Sequence, residues 1–251
     1  MYMPYGIILY WAAYTGDVVK VKNILARGAS VNFKYREDHD TPLHVAKNKE
    51  VAEILIQNGA NVNSRDIQNQ TPLHVTKNID IAEKLIKNGA EINSVDNKNQ
   101  TPLHNATRID VAEILIQDGA EVNSRDINNQ TPLHVAKHID IAGILIKYGA
   151  NVNSRDINGR TPLYCLEETF KKSHWYMREL KSDSLLHQAA SQGELNAVKT
   201  LITLGANLSD QNDEGKTPLH QAVENGEMAT IKCLIRLGAD ITARNKKVRF
   251  F

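Results

Sequence analysis

Histidine recurs in this chain in a way that could indicate chemistry, because histidine can serve as a metal ligand or as an acid–base catalyst. Most of its histidines occupy the same place in successive, similar segments, at His44, His74, His104, His134, His187 and His220. Repeated segments place such residues about 10 Å apart, the spacing of packed helices. Zinc ligands lie about 2 Å from a shared ion, so this series cannot form one metal site. We therefore predict that these histidines are structural and that the chain has no metal site.

Carboxylates recur in the same manner, at Asp66, Asp96, Asp126 and Asp156. Their regular period indicates turn residues rather than acids or bases of an active site. The chain contains neither a glycine-rich phosphate-binding loop after a strand nor a Gly-x-Ser-x-Gly nucleophile motif. We expect no catalytic residues, no cofactor and no enzymatic activity.

The elements that position these residues repeat every 30 residues, and each copy opens with Thr-Pro-Leu-His or a close variant, at Thr41, Thr71, Thr101, Thr131 and Thr161. In one copy, Thr71 and Pro72 favour the start of a helix of about two turns that ends near Asn78. Asp80 is predicted to cap a second helix, and Gly89 to stop it in a left-handed conformation. A short, fixed period predicts stacked units that complete one another's cores.

This pattern resembles the ankyrin repeat. The resemblance rests on the Thr-Pro-Leu-His openings, on glycine–alanine pairs such as Gly89-Ala90, and on hairpin entries such as Ile92-Asn93. It implies an all-α ankyrin-repeat α-solenoid of stacked helix-turn-helix units with hairpin loops. The usual ankyrin unit has about 33 residues. We therefore expect the first helix and the turn between the helices to be trimmed in the 30-residue copies.

We predict one repeat domain over residues 1–251, divided into four parts. Residues 1–36 are an N-terminal capping repeat, 37–160 are four 30-residue repeats, 161–183 are a degenerate repeat and junction, and 184–251 are two 33-residue-type repeats and a tail. The junction is predicted because Gly149 and Gly205 are 56 residues apart (205 − 149 = 56), which is too short for two complete units. The sequence after Glu167 is predicted to be helical.

Composition and charge exclude several classes of protein. A net charge of +1 makes binding to bulk nucleic acid improbable. The two cysteines, Cys165 and Cys233, favour neither a disulfide framework nor a zinc site, and they suit a reducing compartment. We recognise no signal peptide or transmembrane segment, so we expect a cytoplasmic protein, or one in the host cytosol if it is secreted as an effector. We favour a monomer.

In ankyrin-like solenoids, the hairpin tips and first helices line a concave groove that binds proteins. The resemblance assigns to this surface the residues that the repeat leaves free: Arg65, Ile67, Gln68, Lys77, Lys98, Arg108, Arg125, Ile127, Asn128, Arg155 and Ile157. We expect one or more protein partners, with an acidic segment attracted by the basic residues. Alternatively, the lysines only complement the carboxyl ends of helices.

The junction is a second candidate surface, because Phe170, Trp175 and Tyr176 depart from the repeat and aromatic residues often anchor interfaces. They could instead fill the space left by the missing hairpin. The predicted function is a non-catalytic protein–protein interaction scaffold. The alternative is an adaptor, or a host-directed effector of an intracellular microbe or virus, that recruits a separate activity to its bound target.

Overall fold

The computed structural model describes residues 5–173 and 183–246, without the side chains of residues 170–173. All regular elements of the described residues are helices, and their β contact is an isolated bridge between Tyr35 and Asp40. The chain divides into two compact units, which meet in sequence at Pro132 and Leu133. No helix of the described residues is long and apolar enough to span a membrane. The predicted all-α repeat fold is confirmed.

The first unit contains α1 (Tyr5–Thr15), α2 (Val18–Ala26), α3 (Lys49–Gln57), α4 (Pro72–Val75), α5 (Ile79–Lys87), α6 (Pro102–Asn105) and α7 (Ile109–Gln117). The second helices of successive repeats pack side by side in the order α2, α3, α5 and α7, while α4 packs against α6. Each 30-residue repeat of this unit buries one leucine from its opening turn and one from its second helix, as Leu73 and Leu85 do. The core therefore runs between the two rows.

The first helix of the 30-residue repeats is shorter than predicted. We expected about two turns ending near Asn78, but α4 and α6 have four residues each. The backbone becomes extended at Thr76, with φ −69° and ψ 136°. Asn78, rather than Asp80, caps α5, because its side chain accepts hydrogen bonds from the backbone N–H groups of Asp80 and Ile81. The three missing residues thus remove part of the first helix.

The second unit contains α8 (Ile139–Lys147), α9 (Pro162–Ser173), α10 (Leu185–Ser191), α11 (Leu195–Thr203), α12 (Pro218–Glu224) and α13 (Met228–Arg236). Here the longer repeats keep first helices of seven residues, α10 and α12. Gly193 and Gly226 turn the chain between the paired helices with φ of 70° and 73°. The helix predicted after Glu167 is confirmed as far as Ser173, and its continuation lies outside the described residues.

Helix α8 packs directly against α11. Among the residues that the structure describes, α9 is followed in sequence by α10, the first helix of the next repeat. The contact is made at Gly143, where a Cβ atom would lie 3.1 Å from Oγ1 of Thr200. The three preceding repeats carry Glu53, Glu83 and Glu113 at this position. A glutamate there would crowd the Thr200 side chain of α11. The glycine therefore suits the direct contact of α8 with α11.

Replacing Gly143 by glutamate is expected to destabilise the second unit by about 2 kcal/mol or more, because the added side chain overpacks the contact with α11. Urea unfolding followed by circular dichroism measures this effect. In a Thr200→Ala background, Gly143→Ala has room for its Cβ and should stabilise the protein by up to about 1 kcal/mol through helix propensity. Wild-type stability of Gly143→Glu would contradict close packing of α8 on α11.

Candidate partner-binding surface

The repeated histidines hold each hairpin against the preceding repeat. Nε2 of His74 lies 3.0 Å from the carbonyl oxygen of Gln100, and Nε2 of His104 lies 3.2 Å from that of Gln130. At the other side of the ring, the backbone N–H of Thr71 donates to Nδ1 of His74 at 3.1 Å. Nδ1 is therefore the acceptor and Nε2 carries the proton. Both ring nitrogens are used, which confirms the structural role predicted for this series.

Asparagine side chains form a second link between repeats. The amide of Asn63 donates to the carbonyl of Gly89 at 3.0 Å, and its oxygen accepts from the backbone N–H of Glu91 at 2.8 Å. Asn93 makes the same pair of bonds to Gly119 and Glu121. Each asparagine thus docks onto the turn that ends the next second helix. These bonds set the register between one hairpin and the next.

The hairpin tips of the first unit are joined by backbone hydrogen bonds. The N–H of Ile67 donates to Asp38, that of Asn97 to Gln68, and that of Ile127 to Lys98, at 2.9 to 3.0 Å. One bond per repeat therefore ties successive tips together. The side chains of Ile67 and Ile127 are left 49% and 62% exposed. In the second unit, Ile157 is 64% exposed.

Most of the predicted arginines are engaged within the array. Nη1 of Arg65 donates to the carbonyl oxygens of Asn69 and Val95, at 3.2 and 2.9 Å. Arg125 reaches the carbonyl of Asn129 at 3.2 Å, and Arg155 reaches that of Gly159 at 2.7 Å. These guanidinium groups close their own turns and keep their charge. They contribute to the electrostatic potential of the surface, but their side chains are less free to reorient toward a partner than side chains in open solvent.

The remaining predicted residues of the first unit differ in their availability. Arg108 makes two hydrogen bonds to the Asp110 carboxylate, at 3.1 and 2.8 Å, so its charge is largely balanced. Lys77 and Lys98 are exposed, and neither forms an ion pair with the part of the chain that the structure describes. Gln68 and Asn128 are also exposed, beside the isoleucines of the tips. Apolar and cationic side chains thus alternate along this edge.

The predicted junction surface is only partly described. Phe170 belongs to α9, whereas Trp175 and Tyr176 lie outside the described residues. A cavity of about 580 Å³ lies nearby, where α8, α9, α10 and α11 meet. Its walls are mainly apolar and include Ile139, Leu166, Leu185, Ala189, Ala197 and Leu201.

One position of the hairpin requires a left-handed backbone. Asn69, Asn99 and Asn129 have φ of 64°, 58° and 59°, and Gly159 takes this place in the second unit with φ 73°. Asparagine tolerates this conformation better than most residues. The Asn99 amide also donates to the carbonyl of Arg125 at 2.7 Å. Asparagine thus adds an inter-repeat bond that glycine could not form.

The first hairpin departs from the others at the residue before Thr-Pro-Leu-His. At this place, Gln70 and Gln100 donate through Nε2 to the carboxylates of Asp96 and Asp126, at 3.3 and 3.0 Å. Asp40 occupies the corresponding position in the first repeat. Ligand atoms of Asp40, His44 and Asp66 lie within 4.8 Å of one another. Two carboxylates therefore come together where later repeats form a hydrogen bond.

This group has the proximity that a metal site needs, but its imidazole is already engaged. Nδ1 of His44 accepts from the N–H of Thr41 at 3.1 Å, and Nε2 lies 3.1 Å from the carbonyl of Gln70. Burial lowers the pKa of His44, which keeps the ring neutral. Burial also raises the pKa of Asp40, and although His44 opposes this, Asp66 and Asp38 raise it further. The cluster is therefore a pair of neighbouring carboxylates beside a hydrogen-bonded imidazole.

Sequence reasoning missed this pair because it treated the aspartates and histidines as equivalent copies. The available signal was the exchange of glutamine for aspartate immediately before Thr41.

Comparison with known families agrees with this architecture. The sequence matches the family described as Ankyrin repeats (3 copies) over residues 9–96, 75–156 and 163–245. The chain therefore belongs to the ankyrin-repeat family, whose repeats are generally protein-interaction modules without catalytic activity. The predicted membership is confirmed.

Two similar proteins are Arf-GAP with coiled-coil, ANK repeat and PH domain-containing protein 2 from Homo sapiens and from Mus musculus. They are 42% and 41% identical to this chain over 69 residues. The similar segment covers 26% of this chain and only 9% of either relative.

The left-handed position of Asn99 predicts different costs for two substitutions. Asn99→Ala loses the bond to Arg125 and places a Cβ residue at φ 58°, so it should lower the free energy of unfolding by about 2 kcal/mol. Asn99→Gly loses only the bond and should cost about 1 kcal/mol. Chemical unfolding of both variants measures the difference. Equal losses would show that backbone conformation is not the cause.

Asp40→Gln should stabilise the first unit by about 1 kcal/mol at neutral pH, because an amide can donate to Asp66 as Gln70 does to Asp96. A carboxyl group with a raised pKa stabilises the fold at low pH and loses that contribution as pH rises through its folded pKa. The advantage of glutamine should therefore vanish below about pH 4, where Asp40 is protonated.

The matched control is Gln70→Asp, which brings a second carboxylate to Asp96 and should destabilise the protein at neutral pH. Urea unfolding at several pH values measures both variants. A destabilising Asp40→Gln at neutral pH would contradict repulsion within the carboxylate pair.

Proposed function

We propose that this chain is a non-catalytic scaffold that binds a partner protein along its hairpin tips and short first helices. The supporting observation is the exposure of Ile67 and Ile127 on tips that inter-repeat hydrogen bonds hold in place. Isoleucine at such a position makes no contribution to the core. Because the backbone is already ordered, a partner would bind without the entropic cost of folding the surface.

The charges of this surface favour a partner with an acidic segment. Lys77 and Lys98 are available as cations, and Arg125 is bonded to a backbone carbonyl. Arg65 contributes less, because its guanidinium lies 3.6 Å from the carboxylate of Glu91. An acidic segment would approach under their attraction, and the isoleucines would bury apolar area on contact. In the second unit, Arg155 and Ile157 present the same pair of side-chain types.

A second candidate function is that of an adaptor that recruits a separate activity to its bound target. It would act in its own cell or, as an effector, in a host cell. The printed names of the similar proteins combine ANK repeat with coiled-coil and PH domains, so this type of repeat occurs in multidomain proteins. Cys165 and Cys233 are free thiols, which suits work in a reducing compartment such as the cytosol.

The proposal is tested by affinity capture with a double variant of the tips, Lys98→Glu with Ile127→Asp. The partner should be captured by the wild type and reduced at least tenfold with this variant, because the change removes both attraction and apolar contact. Raising the ionic strength should weaken capture if the partner segment is acidic.

The matched control is Lys20→Glu with Val19→Asp, which makes the same change in charge and polarity on α2, where Val19 is 69% exposed. Circular dichroism should show both variants to be folded, since surface substitutions usually change stability by about 0.5 kcal/mol or less. Equal capture by the wild type and the tip variant would place the binding surface elsewhere.

A further inference from the structure

An aromatic cluster lies on the first repeat, apart from the residues assigned above. The rings of Tyr10 and Tyr35 stack at 4.1 Å with an angle of 11° between their planes. Trp11 meets Tyr35 edge-on at 6.0 Å and Tyr14 at 5.4 Å. Trp11 and Tyr14 remain 44% and 53% exposed. Four neighbouring aromatic side chains thus form a partly solvent-exposed surface.

Carboxylates border this aromatic cluster. The backbone N–H of Tyr35 donates to the carbonyl of Asp40 at 2.8 Å, which places the acidic hairpin beside the rings. Burial, helped by the neighbouring Asp40, Tyr35 and Asp38, raises the pKa of Tyr10 to about 12. Asp38 and Asp40 form no ion pair with the residues that the structure describes. The neighbourhood therefore combines π-faces with unneutralised negative charge.

The chain already places one cation on this cluster. The guanidinium carbon of Arg36 lies 5.2 Å from the centre of the Tyr35 ring. Lys34, the other nearby cation, donates to the carbonyl of Arg65 at 3.2 Å. His44 is neutral in its hydrogen-bonded form. The contact of Arg36 shows that a guanidinium fits against these rings.

We propose that the aromatic cluster and its acidic border form a docking site for an arginine-containing basic segment of a partner protein. A guanidinium can stack on the exposed ring of Trp11 or Tyr14, and the negative charges of Asp38 and Asp40 nearby attract it. The rings of this site lie outside the hairpin-tip surface, although Asp38 adjoins Ile67, whose N–H donates to the Asp38 carbonyl at 2.9 Å. The site depends on the proposed function only in that both are protein-binding surfaces.

The test is a fluorescence-anisotropy titration with a fluorescein-labelled peptide of alternating arginine and glycine. Peptides of the same length with lysine or glutamate in place of arginine are the comparison probes. The arginine peptide should bind more tightly than the lysine peptide, because only guanidinium is planar and can both stack and donate in parallel. The glutamate peptide should not bind. Absence of binding by the arginine peptide would overturn the proposal.

Two sets of variants locate the site. Trp11→Ser should weaken binding of the arginine peptide at least tenfold by removing the stacking surface. Asp38→Asn with Asp40→Gln should weaken it to a similar extent by removing the carboxylates. Because Asp40→Gln is expected to stabilise the fold, lost binding by the second variant cannot be attributed to unfolding. Unchanged Kd for both variants would overturn the proposal.

Arg36→Gly should change the affinity for the arginine peptide in the opposite direction. It removes the chain's own cation from the cluster, and glycine suits the φ of 43° at this residue. The arginine peptide should therefore bind several-fold more tightly. Weaker binding by Arg36→Gly would argue against competition for the same rings.

The tip variant Lys98→Glu with Ile127→Asp separates this proposal from the preceding one. It should retain wild-type affinity for the arginine peptide, whether or not it captures the partner of the hairpin tips. Loss of peptide binding in this variant alone would overturn the assignment to the first repeat. In a Trp175→Phe background, Trp11 is the remaining tryptophan, so its fluorescence should change on binding.

Discussion

The hydrogen bond from a buried histidine to the carbonyl at the end of the next hairpin is the contact on which the short repeats depend. The first helix of these repeats has only one turn, as in α4, where Pro72 and Leu73 are the buried apolar residues. The bonds of His74 and His104, together with those of the hairpin asparagines, set the position of each repeat on its neighbour. Loss of a histidine would leave a buried carbonyl without its donor, which is costly in an apolar environment.

The same network determines which side chains remain available to a partner. Arg65 and Arg125 use their guanidinium groups to close hairpin turns, so they serve the scaffold and the surface together. Ile67 and Ile127 take part in the network through backbone groups, and their side chains stay exposed. A rigid backbone that presents unused side chains is the arrangement from which binding surfaces are commonly built.

The two units stabilise the stacking of their repeats in different ways. The first combines short repeats with many polar links, whereas the second regains longer first helices in α10 and α12. In the second unit, Gly143 allows α8 to lie against α11, and a cavity lined by α8, α9, α10 and α11 lies beside them. A departure from the repeat is therefore accommodated by a local change of side chain. In the first hairpin, the change from glutamine to Asp40 has the opposite result, because it brings two carboxylates together.

The sequence by itself determined the repeat, the all-α fold and the structural role of the histidines. Their signals are local and recur at a constant period, as do Thr71-Pro72 and Gly89. Helix length and capping were less predictable, since Asn78 and Asp80 are both good caps and only the folded backbone selects one. The pairing of Asp40 with Asp66, the bonds of Arg65 and the grouping of Trp11 with Tyr35 were decided by the tertiary structure. These partners lie more than twenty residues apart in the chain, and periodicity does not specify which side chains of successive repeats meet.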